Sequence, residues 1–139
     1  RVAAVSEYTR NLAMQHYDVP IEVIPNGVDL RQAQPVLQLA HPPRLIFAGR
    51  FAEQKNPLQV VHTLSELRDL PWQCVMAGDG ALWSAVEAAI AAEGLTDRFT
   101  LTGWIEPGQV LDWFGRSDVL FMPSRSEVLP VVGVQALAM

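Results

Sequence analysis

A single cysteine, Cys74, stands in 139 residues, so no internal disulfide can form. With His16, His41 and His62 scattered along the chain, it builds no Cys-rich zinc site either. Basic residues are also in deficit. Ten Lys and Arg face fifteen Asp and Glu, and the net charge of -5 has the wrong sign for a domain whose main partner is a nucleic-acid backbone. No apolar run approaches the ~20 residues of a bilayer-spanning helix, and no basic segment precedes an apolar one at the start. Four chemical signatures are absent as well: G-x-G-x-x-G after the first strand, G-x-x-x-x-G-K-[ST], G-x-S-x-G and H-E-x-x-H. Their absence argues against a dinucleotide fold, a P-loop, triad hydrolysis and zinc proteolysis. A metal site is not expected.

What is present is hydrophobic. Half of the residues are apolar and 18% charged, enough for one compact domain over 1–139 that buries roughly two thirds of its unfolded surface. The chain opens at Arg1 without Met and stops at Met139 inside an apolar segment, which we read as a piece of a longer protein.

Periodicity divides the chain into strands and helices. A strand over 1–5 precedes a helix capped by Ser6 and running to about Tyr17, with Tyr8, Leu12 and His16 at helical spacing. A strand over 21–24 meets the turn signal Pro25-Asn26-Gly27, and 30–43 reads as loop or linker. The next strand, 45–48, ends at Gly49-Arg50. Asn56-Pro57 then opens a helix with Val60, Val61, Leu64 and Leu67 on one face. The unit repeats: strand 73–77, Gly78-Asp79-Gly80, a helix with Leu82, Val86, Ala89 and Ile90 on one stripe, and Gly94 as its stop. Strand 99–102, a helix from Pro107 with Val110, Leu111 and Phe114, strand 118–122, loop 123–130 and a last helix complete the series. This is the pattern of an α/β, Rossmann-like, doubly wound parallel sheet of about six strands. Ligands of such sheets bind beyond the carboxyl ends of the strands, here after Ala48, Ala77, Thr102 and Met122.

In the first of those loops, Gly49 allows a ligand close to the backbone, and Arg50 and Lys55 lie beside a helix N-terminus whose amides favour anions. That combination suits a diphosphate, although the two cations could equally be solvated charges with Glu53 as their partner. Glu127, in the last loop, can set a carboxylate beside the same ligand, or simply be a surface or capping carboxylate. Gln135 could be an ordinary helix residue, and Gly78-Asp79-Gly80 and Asn26-Gly27 could each be only a turn and helix N-cap.

Four stretches in order carry a resemblance: Ile24 to Asp29, Phe47 to Arg50 with Lys55, Ala77 to Gly80, and Pro123 to Ala138. Together they resemble the carboxyl-terminal domain of a GT-B fold glycosyltransferase, most similar to glycosyltransferase family 4. The resemblance implies a retaining transferase that takes a sugar from a nucleotide diphosphate sugar with no obligatory metal or other cofactor. The acceptor, a sugar or lipid, would lie against a separate amino-terminal domain. By the same resemblance Arg50 and Lys55 hold the diphosphate and Glu127 lies near the donor sugar. Val128, Leu129, Pro130 and Val131 offer loop contacts to sugar and phosphates, Gly103, Trp104 and Ile105 meet the base, and Gly78 belongs to the donor site. Gln135 stands where the family carries a second glutamate that binds the ribose, replacing a charge-assisted hydrogen bond by a neutral one, roughly 1 kcal/mol weaker. Val128 stands where the family usually has glycine, and a β-branched residue would misaim the loop amides if the loop needs positive φ.

Many relatives of that family build polysaccharides or glycolipids at the cytoplasmic face of the membrane; cytoplasmic is the default expectation here, with room for a peripheral contact at the inner face of the membrane. Taken alone, the present domain should bind donor without turnover, since acceptor positioning and water exclusion need the other domain. Two readings compete: a nucleotide sugar epimerase of GT-B architecture, and a non-catalytic, degenerate nucleotide-binding module motivated by Gln135 and Val128. Cys74 is assigned to packing, and none of the three histidines is a candidate base.

Overall fold

A computed structural model describes residues 1–28 and 39–139. Asp29 and most of the expected 30–43 loop lie outside the described residues.

The chain begins with β1 (Val2–Ala4), α1 (Glu7–Met14) and β2 (Ile21–Val23). Ser6 caps α1 as expected, its Oγ accepting the Thr9 amide at 3.1 Å. The helix ends at Met14, short of Tyr17 and leaving His16 outside it. None of its residues is buried, so little packing holds further turns. β1 and β2 run parallel, with Val2 opposite Ile21.

From Arg44 the strand and helix alternation is regular: β3 (Arg44–Ala48), α2 (Pro57–Ser65), β4 (Gln73–Ala77), α3 (Trp83–Ala92), β5 (Phe99–Gly103), α4 (Pro107–Phe114), β6 (Val119–Leu120) and α5 (Val131–Ala138). The second sheet is ordered β5-β4-β3-β6, and all its strand pairs are parallel. The six expected strands are therefore present and parallel, but divided four and two between sheets. Periodicity marks a strand without naming its partner, and the three-residue β1 and β2 pair with each other. β6 is likewise two residues long where 118–122 was expected.

Alternation along β3 and β4 sends side chains to opposite faces. Phe47, Cys74 and Met76 meet Val60, Val61 and Leu64 of α2 and Val86 and Ile90 of α3. Ile46, Ala48, Val75 and Ala77 face Phe114 of α4, with Val132 and Ala136 of α5 packed nearby. The sheet is thus doubly wound, with a core on each side. Leu67 leaves the expected face of α2: the helix stops at Ser65, and Leu67 is exposed in the turn that follows. Phe51 anchors the first core, edge-on to Phe47 and stacked on Trp83.

β4 lies on one side of β3 and β6 on the other. The chain leaves β3 toward one edge of the sheet and returns to its opposite flank for β6. The gap between the carboxyl ends of β3 and β6 is therefore the topological switch point, where open α/β sheets place ligands.

Candidate functional site

The loops above the sheet are tied together through main-chain hydrogen bonds. The Gly49 amide donates to Ala77 O at 2.9 Å, the Phe51 amide to Asp79 O at 2.9 Å, and the Gly78 amide to Gly103 O at 3.0 Å. Gly78 has φ +143°, and a Cβ there would stand 2.0 Å from Gly49 O. Only glycine satisfies both conditions. Gly49 is different, since a Cβ on it would meet the Lys55 stem and the Phe47 ring at an ordinary 3.7 Å. The close approach in this loop pair thus falls on Gly78 rather than on Gly49. Nor does Asp79 cap α3, whose N-cap is Leu82; its Oδ1 accepts the Gly80 amide at 2.6 Å.

Five of the expected donor residues, Gly49, Arg50, Gly78, Trp104 and Ile105, line one cleft of about 330 Å³. Ala48, Ala77, Asp79, Val110 and Val132 complete its walls. Gly103, with φ +70°, borders it through its bond to Gly78. Trp104 is 69% exposed at the rim.

Beside the cleft, Lys55 and Glu127 form an ion pair that joins the loops after β3 and β6. Partial burial raises the Glu127 carboxyl, but hydrogen bonds from Lys55 and Ser124 and the lysine's charge outweigh it and hold the group below the ordinary glutamate value. Glu53 does not pair with Arg50 or Lys55; it reaches Arg125 at 3.4 Å, with both side chains largely in water. Among the described residues Arg50 has no ion pair, and its exposed side chain borders the cleft.

The same two loops are joined by further bonds. The Arg125 amide donates to Gln54 O at 2.8 Å, and Gln54 Nε2 donates to Ser126 O at 3.2 Å. Asn26 Nδ2 donates to Leu129 O at 3.0 Å. Pro130 caps α5 with its carbonyl, which accepts the Gly133 and Val134 amides. Val128 and Val131 are exposed. Among the described residues only Asn56 is a non-glycine with positive φ, so Val128 imposes no left-handed strain on the loop. Asn56 precedes α2 but its side chain makes no cap bond, leaving the amides of the first turn uncapped by it. Gln135 is half-buried on α5 and does not line the cleft. Sequence reasoning missed Asn26, Gln54, Ser124, Val110 and Val132 as site residues. Asn26 and Gln54 act through partners 103 and 72 residues along the chain, Ser124 acts on its near neighbour Glu127, and the two valines read as ordinary core positions of helices.

The remaining chemistry is sparse. Cys74 is buried, and burial pushes its thiol up to about 12. His62 is exposed on α2. Among the described residues no group of three or more His, Cys, Asp and Glu could hold a metal ion, and no helix is long and apolar enough to cross a membrane.

Residues 31–139 match the family model of the glycosyl transferases group 1. The chain belongs to that family. As a group 1 domain it has the fold of the carboxyl-terminal half of a GT-B glycosyltransferase. It is 32% identical over 131 residues to the 2-deoxystreptamine glucosyltransferase of Streptomyces kanamyceticus, covering 84% of this chain and 34% of that protein. It is also 32% identical over 143 residues to the D-inositol 3-phosphate glycosyltransferase of an Arthrobacter species, covering 90% of this chain and again 34% of the relative. The chain thus spans about a third of the curated relatives it matches. The crystal structure of Anabaena HepE in complex with UDP and glucose superposes with a TM-score of 0.80 at 16% identity, over 99% of this chain and 41% of that one. For the group 1 domain described above, that likeness fixes the fold.

Proposed function

We propose that the chain is the donor-binding domain of a retaining, family 4 type glycosyltransferase that passes a sugar from a nucleotide diphosphate sugar to an acceptor held by a second domain. The observation that carries this reading is the meeting of Lys55 with Glu127 at the β3/β6 switch point, beside a cleft bordered by Arg50. As the bond from sugar to diphosphate breaks, negative charge gathers on the leaving diphosphate. Arg50 and Lys55 supply fixed positive charge there, the task a metal performs in other transferases, so the reading requires no metal. Glu127 stands next to Lys55 and faces the donor sugar, while Trp104 and Ile105 receive the base. The UDP and glucose in the HepE structure support a nucleotide sugar as ligand. The wider setting we propose is polysaccharide or glycolipid synthesis on the cytoplasmic side, with the acceptor a sugar or lipid.

Calorimetric titration with UDP, GDP and ADP tests the reading. One of them should bind saturably, and Arg50→Ala or Lys55→Ala should weaken it tenfold or more, about 1.4 kcal/mol. Variants that bind like the parent would remove both residues from the site. Gln135, in the place of the family's second glutamate, favours a second reading as a non-catalytic nucleotide-binding module. Turnover of a nucleotide sugar by the full-length protein would dismiss it.

A further inference from the structure

Glu127 and Val128 are bracketed by two carbonyls, and each is held by a side-chain amide from elsewhere in the chain. Gln54 Nε2 donates to Ser126 O, and Asn26 Nδ2 donates to Leu129 O. Gln54 comes from the loop after β3 and Asn26 from the segment after β2, 72 and 103 residues away from their partners. A trans peptide is planar, with its N–H and C=O on opposite sides. Fixing the Ser126 carbonyl therefore fixes the direction of the Glu127 amide. The Leu129–Pro130 peptide has no N–H at all, so its carbonyl is a bare acceptor. Unpartnered beside an anion, such a carbonyl would turn its negative end toward like charge. Gln54 adds a second anchor, because its own carbonyl accepts the Arg125 amide at 2.8 Å.

We propose that Asn26 and Gln54 are positioning residues for the donor loop: they clamp the carbonyls on either side of Glu127-Val128, turn them away from the diphosphate and aim the intervening amide at the ligand. The proposal rests on the donor-binding reading above. Neither side chain needs to touch the ligand. Each acts through the loop, so its loss should weaken nucleotide binding while leaving the cores intact.

The test compares the chain with Asn26→Asp, which keeps the shape and replaces a donor by an acceptor, and with Gln54→Met, which keeps the stem and removes the amide. Gln59→Met, on the outer face of α2 where the Gln59 side chain, among the described residues, bonds only Thr63, serves as control. Titration uses UDP, GDP and ADP, alongside thermal unfolding and hydrogen–deuterium exchange over 124–131. The dissociation constant of the nucleotide that the parent binds should rise about fivefold to tenfold in each variant. Exchange in the loop should quicken, and the control should match the parent. Gln54 is exposed, so its variant keeps the fold even if Asn26→Asp loses it. Parental affinity in Gln54→Met, or a lower unfolding temperature with unchanged affinity in either variant, overturns the clamp. A parent that binds none of the three nucleotides overturns the donor reading itself, and the clamp with it.

Discussion

Lys55 and Glu127 carry the strongest local electrostatics of the site, each with about three quarters of its side chain out of water. The Glu127 carboxyl is held below its ordinary value in the folded chain, so its contribution to stability is present above the unfolded value of about 4.3 and is lost as pH falls through the lower folded value. Urea unfolding of the parent and Glu127→Gln across that range should show a stability gap near neutrality that closes in acid; a gap independent of pH would assign the effect to packing. Cys74 gives a complementary prediction. Its thiol, pushed up to about 12, holds almost no thiolate near neutrality and should ignore a disulfide reagent until the chain unfolds, whereas reaction at native rates would mean that β4 opens readily. At this scale legibility was uneven. Burial of Cys74 followed from its place in an apolar strand, while the link from Lys55 to Glu127 spans 72 residues and needs the sheet order to bring its ends together. Asn26 sat in a turn signal strong enough to hide its second job.

Elements were easier to read, because each helix and buried strand repeats its apolar period within its own consecutive residues. α2 and α4 start at Pro57 and Pro107 as expected and α5 follows the loop that ends at Pro130, while Leu82, expected on the stripe of α3, is its N-cap; the alternating faces of β3 and β4 match their apolar runs. Ends were less legible: Leu67 falls at helical spacing but past the last turn of α2, since spacing records direction around an axis and not where the axis stops. The loops between elements give the sharpest mutational contrast. Gly78→Ala must place a methyl group 2.0 Å from a main-chain oxygen at φ +143°, and should cost about 3 kcal/mol or more. Gly49→Ala meets only ordinary contacts and should stay within about 1 kcal/mol of the parent. Denaturant midpoints of the two variants decide the matter; equal losses would contradict the geometry.

Across the whole molecule, alternation of strand and helix was enough to specify a parallel sheet covered on both sides, because that arrangement alone buries every apolar strand face. It was not enough to show that β1 and β2 stand apart from the other four strands, since their short runs would fit either sheet. The two cores flank a single layer of strands, so stability and ligand binding should be read together. Leu64→Ala, deep in the first core, should cost about 2–5 kcal/mol. Nucleotide at a hundred times its dissociation constant should return about 2.7 kcal/mol, visible as a rise in the unfolding temperature that a tenfold weaker Arg50→Ala cuts to about 1.4 kcal/mol or less. The main-chain hydrogen bonds that stitch Gly49 to Ala77, Phe51 to Asp79 and Gly78 to Gly103 have no side chain among their donors or acceptors. A foundation of that kind cannot be rewritten one residue at a time, whereas Trp104, Val110 and Val132 around it can. Anchorage and selectivity are thus separate properties of this domain, and the second can be redesigned while the first is left alone.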